Sequence, residues 1–587
     1  MASTGHELGN MATATAKGMR TIIGPISPHR EKVSKSDYAD REQLARLGKK
    51  SVLKPKQHLS AKHSSMLTPP SPQRNFGFMS ILGFSCTILI TWEATLVLSA
   101  QGLANGGYAG VLYGYIVVWL GNISVFTTLS ELASMAPTSG GQYHWVAMLA
   151  PRRCAKFLSY TTGWLAVGGW QGSVASSAFL TGTMIQGMIA MNNVETYVPQ
   201  PYQGTLLFWA IMLFAVLINA IVSSALPKFE GLILVLHVLG FFAILIPMVS
   251  LGYHGDAQHV FTEFRNGGEW PTQGLSFMVG LVGNVFAFVG KSSPFSPPPL
   301  HTMKHTSLTN TGVDAAFHMS EETLNSAVAV PKSIFLSMLI NGTTGFAMTV
   351  AVLFCIRDLE SVLSSPTGFA HMQLFLDSTG SVAGSTVMAA IITILGACAT
   401  VGMLASTSRV FWSFARDRGL PFWRVLSRID ARTTVPVWAI ACTTCIACLL
   451  ALINLGSATA LNAVISLSIS CLYLSYFICA SLLLYRRTTK GFQMPGTSEM
   501  PALANTTGAE LVWGPWHLPG ALGIVNNAIS CIYLIVIFFF SFWPGMMNPT
   551  AATTNYAAVV TGFILIFSIL YYVFWARKEY EGPIIEI

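Results

Sequence analysis

The sequence predicts an all-α polytopic membrane protein, and three observations carry that prediction. Hydrophobic residues make up 52% of the 587-residue chain and charged ones only 10%. The mean hydropathy of +0.55 lies well outside soluble usage. Apolar runs of about 20 residues recur along the chain, each long enough to cross roughly 30 Å of hydrocarbon as a helix, and they lack the short alternation of barrel strands. No phosphate-binding glycine loop, H-E-x-x-H or G-x-S-x-G motif occurs, so no cofactor or metal is expected and the chain does not read as an enzyme. Cys442, Cys445 and Cys448, at helical spacing inside one apolar run, read as small apolar filler.

Residues 1–75 are polar and basic and contain no secretory apolar core; they read as a disordered cytosolic tail. From residue 76 to 576 the apolar runs mark about twelve spans: Phe76–Ala100, Tyr108–Ser130, Phe157–Ala190, Thr205–Ser224, Phe229–Leu251, a broken span of Gly274–Gly290 plus Val313–Glu321, Ser333–Ile356, Thr386–Phe414, Val435–Leu455, Ala460–Tyr485, Pro519–Trp543 and Tyr556–Trp575. Residues 577–587 make a short cytosolic tail. Orientation follows from the basic residues. One set of loops holds Arg152, Arg153, Lys156, Lys228, Lys332, the run from Arg409 to Arg432, Arg486 and Arg487; the other holds only Arg265 and Arg357, beside several carboxylates. Both termini are therefore expected in the cytosol, with the run from Arg409 to Arg432 mostly a solvated loop. The N-x-S/T matches at Asn122 and Asn341 fall inside spans and that at Asn505 in a cytosolic loop, so none reads as a glycan site.

Two spans depart from continuous apolar helix. The first carries Glu93 at mid-depth, flanked by Thr91, Trp92, Ala94 and Thr95. A carboxylate there costs about 2.5–3.5 kcal/mol on insertion scales, so it should face a polar cavity or a cation, or stand protonated and hydrogen-bonded as a structural group. The sixth span breaks between Val289–Gly290 and Val313–Asp314–Ala315. Paired broken helices are the sequence pointer to the central site of a secondary transporter. His237 reads as the only strongly titratable side chain of the fifth span. Imidazole titrates near physiological pH, which suits proton coupling together with Glu93; a histidine bonded to a backbone carbonyl fits the same position.

At SELASMAPTSGGQYHWVAMLAP (130–151), FHMSEE (317–322), VPKSIFLSMLING (330–342), SRVFWSFARDRGLP (408–421) and the terminal YEGPIIEI, the chain resembles the fungal GABA, choline and amino-acid permeases of the amino acid–polyamine–organocation superfamily. The resemblance implies a five-plus-five inverted repeat and alternating access, with substrate held between the unwound centres of the first and sixth spans. Those centres fall at Thr91, Trp92, Glu93, Ala94 and Thr95, and at Val289, Gly290, Val313, Asp314 and Ala315. Free amides at a helix break suit a carboxylate, while freed carbonyls and Glu93 suit an ammonium. Trp92, Trp170 and Phe288 offer aromatic faces for a cation, or simply pack. Glu321 and Glu322 read as an inner gate pairing with basic loop residues. The implied function is a proton-coupled permease for a small amine or amino acid, such as GABA, choline or an amino acid. Its partners are substrate, proton and lipid, and the plasma membrane is favoured over the vacuole by analogy. The alternative is a transporter-like nutrient sensor or a non-transporting relative.

Between the halves of the sixth span stand 22 extra residues, Lys291 through Gly312, including Pro294, Pro297, Pro298 and Pro299. Joining Gly290 to Val313 restores NVFAFVGVDAAFHMSEE, which reads like the uninterrupted family sequence. The segment reads as a retained intron translated in frame: Gly290–Lys291–Ser292 can encode a GTAAGT donor, Leu308–Thr309 a branch-point word and Thr311–Gly312 an acceptor. The competing reading is a genuine loop. Its prolines and lysines could not continue a lipid-facing helix, and it would lie where substrate should sit.

Overall fold

The computed structural model describes residues 42–49, 76–98, 100–222, 226–289, 314–365, 367–430, 433, 435–456, 458–489, 491–494, 503–550 and 554–586. The insertion 291–312, Gly290, Val313 and most of the N-terminal tail lie outside the described residues, as do the side chains of Phe288 and Val289. Eleven described helices are long and apolar enough to cross a membrane. In order, α1 (Phe78–Leu89) and α2 (Thr91–Leu98) form the first span. They are followed by α3 (Ala100–Met135), a short connecting helix α4 (Gln142–Leu149), α5 (Ala155–Asn192), α6 (Pro201–Val216) and α7 (Leu226–Leu251). The sixth place belongs to α8 (Gln273–Val289), with a shorter apolar stretch, and to the one-turn α9 (Ala315–His318) beyond the insertion. Then come α10 (Ser326–Cys355), α11 (Val382–Arg416), α12 (Val437–Gly456), α13 (Ala458–Thr489), α14 (Gly520–Phe540) and α15 (Ala557–Tyr571).

Helices serve here because a spanning segment must satisfy its own backbone groups. Local chemistry sets their ends. Pro201 opens α6 behind a reciprocal Gln200–Gln203 cap. Gly107 turns the chain from the first span into the second at φ +67°, where a Cβ would stand 2.7 Å from Arg265 N.

The packing pairs follow an exchange between two halves. Helix α3 packs on α8 as α10 packs on α1 and α2; α5 meets α12 as α11 meets α6; α5 meets α13 as α11 meets α7. Each half holds five spans, an odd number, so the halves lie inverted in the membrane. At the centre α5 and α11 approach closely at Gly396, where a Cβ would stand 3.0 Å from Thr181 Oγ1, and the Ser177 and Thr400 hydroxyls are 2.7 Å apart. The outer surface of α15 is apolar and open, with Phe563 66% exposed, as a lipid-facing helix requires.

Two expectations change at the face that carries the chain ends. Residues 42–49 do not behave as solvated tail. They form a short helical turn that buries Leu44, Leu47 and Lys49. The run from Arg409 to Arg432 is not all loop either, because α11 continues to Arg416 and buries Arg409 completely. A guanidinium survives there only because a carboxylate meets it.

Candidate substrate site

The first span breaks at Ile90, whose φ of 34° and ψ of 48° lie in the left-handed region. For a β-branched residue that costs on the order of 1–3 kcal/mol, sustained by the surrounding packing. The Thr91 amide finds Asn341 Oδ1 on α10 at 3.4 Å. Tyr115 donates to Gly342 O at 3.0 Å. Two glycines let α10 come this close: a Cβ on Gly345 would stand 2.2 Å from Tyr115 Oη and 2.8 Å from Thr91 Cγ2.

Beside the break, Glu93 Oε1 and His237 Nδ1 are 2.7 Å apart, both side chains buried. The Trp92 ring covers the pair, 5.7 Å from the imidazole and 6.0 Å from Phe241. Four buried atoms on these residues have no hydrogen-bond partner among the described residues: Thr91 Oγ1, Trp92 Nε1, Glu93 Oε2 and His237 Nε2. Buried polar atoms are almost always bonded, so this concentration marks a place where a polar guest would be stabilised. Thr95 instead turns back on Thr91 O at 3.0 Å, and Ala94 is buried in the helix.

At the second break Asp314 is engaged with protein. Its Oδ2 accepts from Gln142 Nε2 at 3.0 Å and Trp170 Nε1 at 3.2 Å, and Tyr476 bonds the same side chain. Trp170, expected to offer an aromatic face to substrate, thus holds Asp314 through its indole N–H. The Ala315 carbonyl accepts from Ser406 at 3.3 Å. Asp314 gathers α4, α5 and α13, while α9 packs on α1 and α11.

Just beyond lies a layer of ion pairs. Arg416 donates to both oxygens of Glu321 at 3.0 and 3.1 Å, and the Ser139 amide adds a third bond at 3.0 Å. Arg409 Nε meets Glu322 Oε1 at 3.0 Å. Asp417 receives Lys49 Nζ at 2.6 Å, the Tyr143 hydroxyl at 2.8 Å and the Ile584 amide at 3.0 Å. Burial opposes the Asp417 charge, but Lys49 and Arg416 outweigh it and hold the carboxyl below its ordinary value. The 42–49 segment also bonds the C-terminal segment, Glu586 N to Gly48 O at 2.6 Å.

Residues 76–565 match the amino acid permease family. The chain belongs to that family. Similar proteins include the choline transporter of Saccharomyces cerevisiae, 29% identical over 87% of this permease and 83% of the relative. Amino-acid permease 2 of Neurospora crassa is 25% identical over 87% and 85%, and amino-acid permease BAT1 of Arabidopsis thaliana 26% identical over 88% and 94%.

Three groups of the permease escaped the sequence reading. Asn341, read only as a sequon inside a span, satisfies the freed Thr91 amide. Glu230 is buried in α7 and accepts from Thr87 Oγ1 at 2.9 Å, so His237 is not the only titratable side chain of the fifth span. Its position inside an apolar run was a signal of the same kind as Glu93. Lys49 lies in a segment whose composition reads as tail, and nothing local marks it. The cationic partners of Glu321 and Glu322 come from α11 rather than from a loop.

Proposed function

We propose that this permease is a proton-coupled secondary transporter of a small amine or amino acid, with the substrate ammonium at Glu93 Oε2. The cluster of unpartnered buried atoms on Thr91, Trp92, Glu93 and His237 carries this reading. One Glu93 oxygen is held by the histidine and the other is open to a cation. A proton gained or lost at His237 therefore alters the charge the substrate meets. Trp92 adds an aromatic face. The yeast relative is named for choline, and a quaternary amine would use that carboxylate and that face; an amino acid would also need amide donors at the breaks.

The basic face carrying both chain ends is the cytosolic side in this reading, at the plasma membrane. The pairs Glu321–Arg416 and Glu322–Arg409 then act as the inner gate, parting when substrate is released inward. Residues 291–312 are absent from the working transporter, which joins Gly290 directly to Val313.

Counterflow tests the whole reading. Proteoliposomes of the chain lacking 291–312, preloaded with unlabelled choline, GABA or an amino acid, should accumulate the labelled compound. Glu93→Gln should cut that exchange about tenfold or more, since a charge-assisted bond of about 1.5–3 kcal/mol is lost. Full exchange by the variant would remove Glu93 from the site, and binding without exchange would make the protein a sensor.

A further inference from the structure

A cavity of about 500 Å³ opens on the face that carries the chain ends, where the end of α4, the start of α5 and the end of α13 meet the 507–511 segment. Small-molecule sites span roughly 300–1,000 Å³. Its wall presents the guanidinium groups of Arg152, Arg153 and Arg486 with Thr507 and Tyr485, and no carboxylate. Arg486 is fixed by Leu149 O and Ala150 O, which it caps at the end of α4. Arg152 is tethered by one N–H to Gly508 O at 3.1 Å. Arg153 makes no bond to another described residue. The neighbouring acid, Glu510, is outside the wall and accepts from Gln493 Nε2 at 3.0 Å. Helix α5 starts here with no acidic residue in its first turn and no side-chain cap, so its positive end adds to the same field. Three cations around one cavity, with no carboxylate in its wall among the described residues, are stabilised by a multiply charged anion. Tyr485 is 47% exposed and α13 ends at Thr489, which puts the cavity where a spanning helix leaves the hydrocarbon and lipid headgroups begin.

We propose that this cavity binds a phosphate monoester, supplied by the phosphorylated headgroup of an anionic lipid in the adjoining leaflet. Guanidinium forks match phosphate oxygens two at a time, which a serine-linked headgroup carrying a carboxylate and an ammonium does not reproduce. Occupancy has a consequence at the candidate substrate site. The phosphate ties the last turn of α4 to α5 and α13, while the first residue of α4, Gln142, bonds Asp314 at the second break. A bound headgroup therefore steadies the helix that holds that break.

The test uses the full chain, purified, beside the variant R152Q/R153Q. Both arginines are exposed, so the substitutions leave the packing intact. Thermal midpoints are read with soluble inositol 1,4-bisphosphate, with inorganic phosphate, and in phosphatidylcholine vesicles doped with phosphatidylinositol 4-phosphate or with phosphatidylserine matched for charge. The headgroup and its lipid should raise the midpoint by several degrees in the parent and not in the variant, with the serine lipid well behind. A full shift with inorganic phosphate alone supports the site and assigns it to free phosphate. Equal shifts with the serine lipid, equal shifts in the variant, or no shift with any probe would overturn the proposal.

Discussion

Glu93 and His237 form a buried pair in which each partner keeps one polar atom unbonded, an arrangement that is expensive unless something else completes it. If the histidine sets the charge at the site, His237→Asn should keep a hydrogen bond to Glu93 yet flatten the pH dependence of uptake. A wild-type pH profile would end the coupling assignment. Asp417 gives a second pH signature. Its folded value lies below the ordinary value of about 4, so the stability it contributes is complete above that value and is lost as pH falls through the folded one. The melting midpoint should be level from neutrality down to about pH 4 and fall below it. Lys49→Met leaves that carboxylate buried with Arg416 as its remaining cation, at a cost of about 3 kcal/mol. The midpoint at neutral pH should drop, and the acid fall should begin at higher pH than in the parent.

The two broken helices work because neighbouring elements take over what the breaks release. Asn341 and the glycines of α10 do this for the first span, while beside the sixth Gln142, Trp170 and Tyr476 tie down the Asp314 side chain. Gly345 is the close point at the first break, since a methyl group there would collide with both Tyr115 and Thr91. Gly345→Ala should cost about 1–3 kcal/mol by overpacking and push α10 away from the first break. Uptake should fall together with the melting midpoint; an unchanged Michaelis constant and midpoint would show that α10 yields without disturbing Thr91. That the first span departs from continuous helix near Glu93 was legible, but not where: the break falls at Ile90, and Thr91 to Thr95, expected to be unwound, are helical. The elements that stabilise the breaks were not legible, because Asn341 and Gln142 have ordinary local surroundings and act on residues far along the chain.

Across the molecule, two inverted sets of five spans exchange packing partners, and the face carrying both chain ends is closed by ion pairs joining α11 to the 320–322 turn, the 42–49 segment and the C-terminus. The insertion falls at the junction between α8 and α9, where Val285 on one side and Asp314 and Ala315 on the other are buried. In the proposed reading these twenty-two residues, whose four prolines cannot continue a helix, stand on the path to the site. Deleting 291–312 should therefore raise uptake several-fold over the chain as written, measured at equal surface expression. Equal uptake by the two forms would mean the segment is a tolerated loop.

By itself the sequence determined the fold class and the order of the spans, since each depends on local composition or on the length of an apolar run. The tertiary structure alone decided the pairings: Glu93 with His237 across 144 positions, Glu322 with Arg409 across 87, Asp417 with Lys49 across 368. A helix such as α7 is apolar on every side, so no periodicity in its sequence reveals which way His237 points. That direction is set by how α7 rotates against α1, and the rotation exists only once the helices have packed.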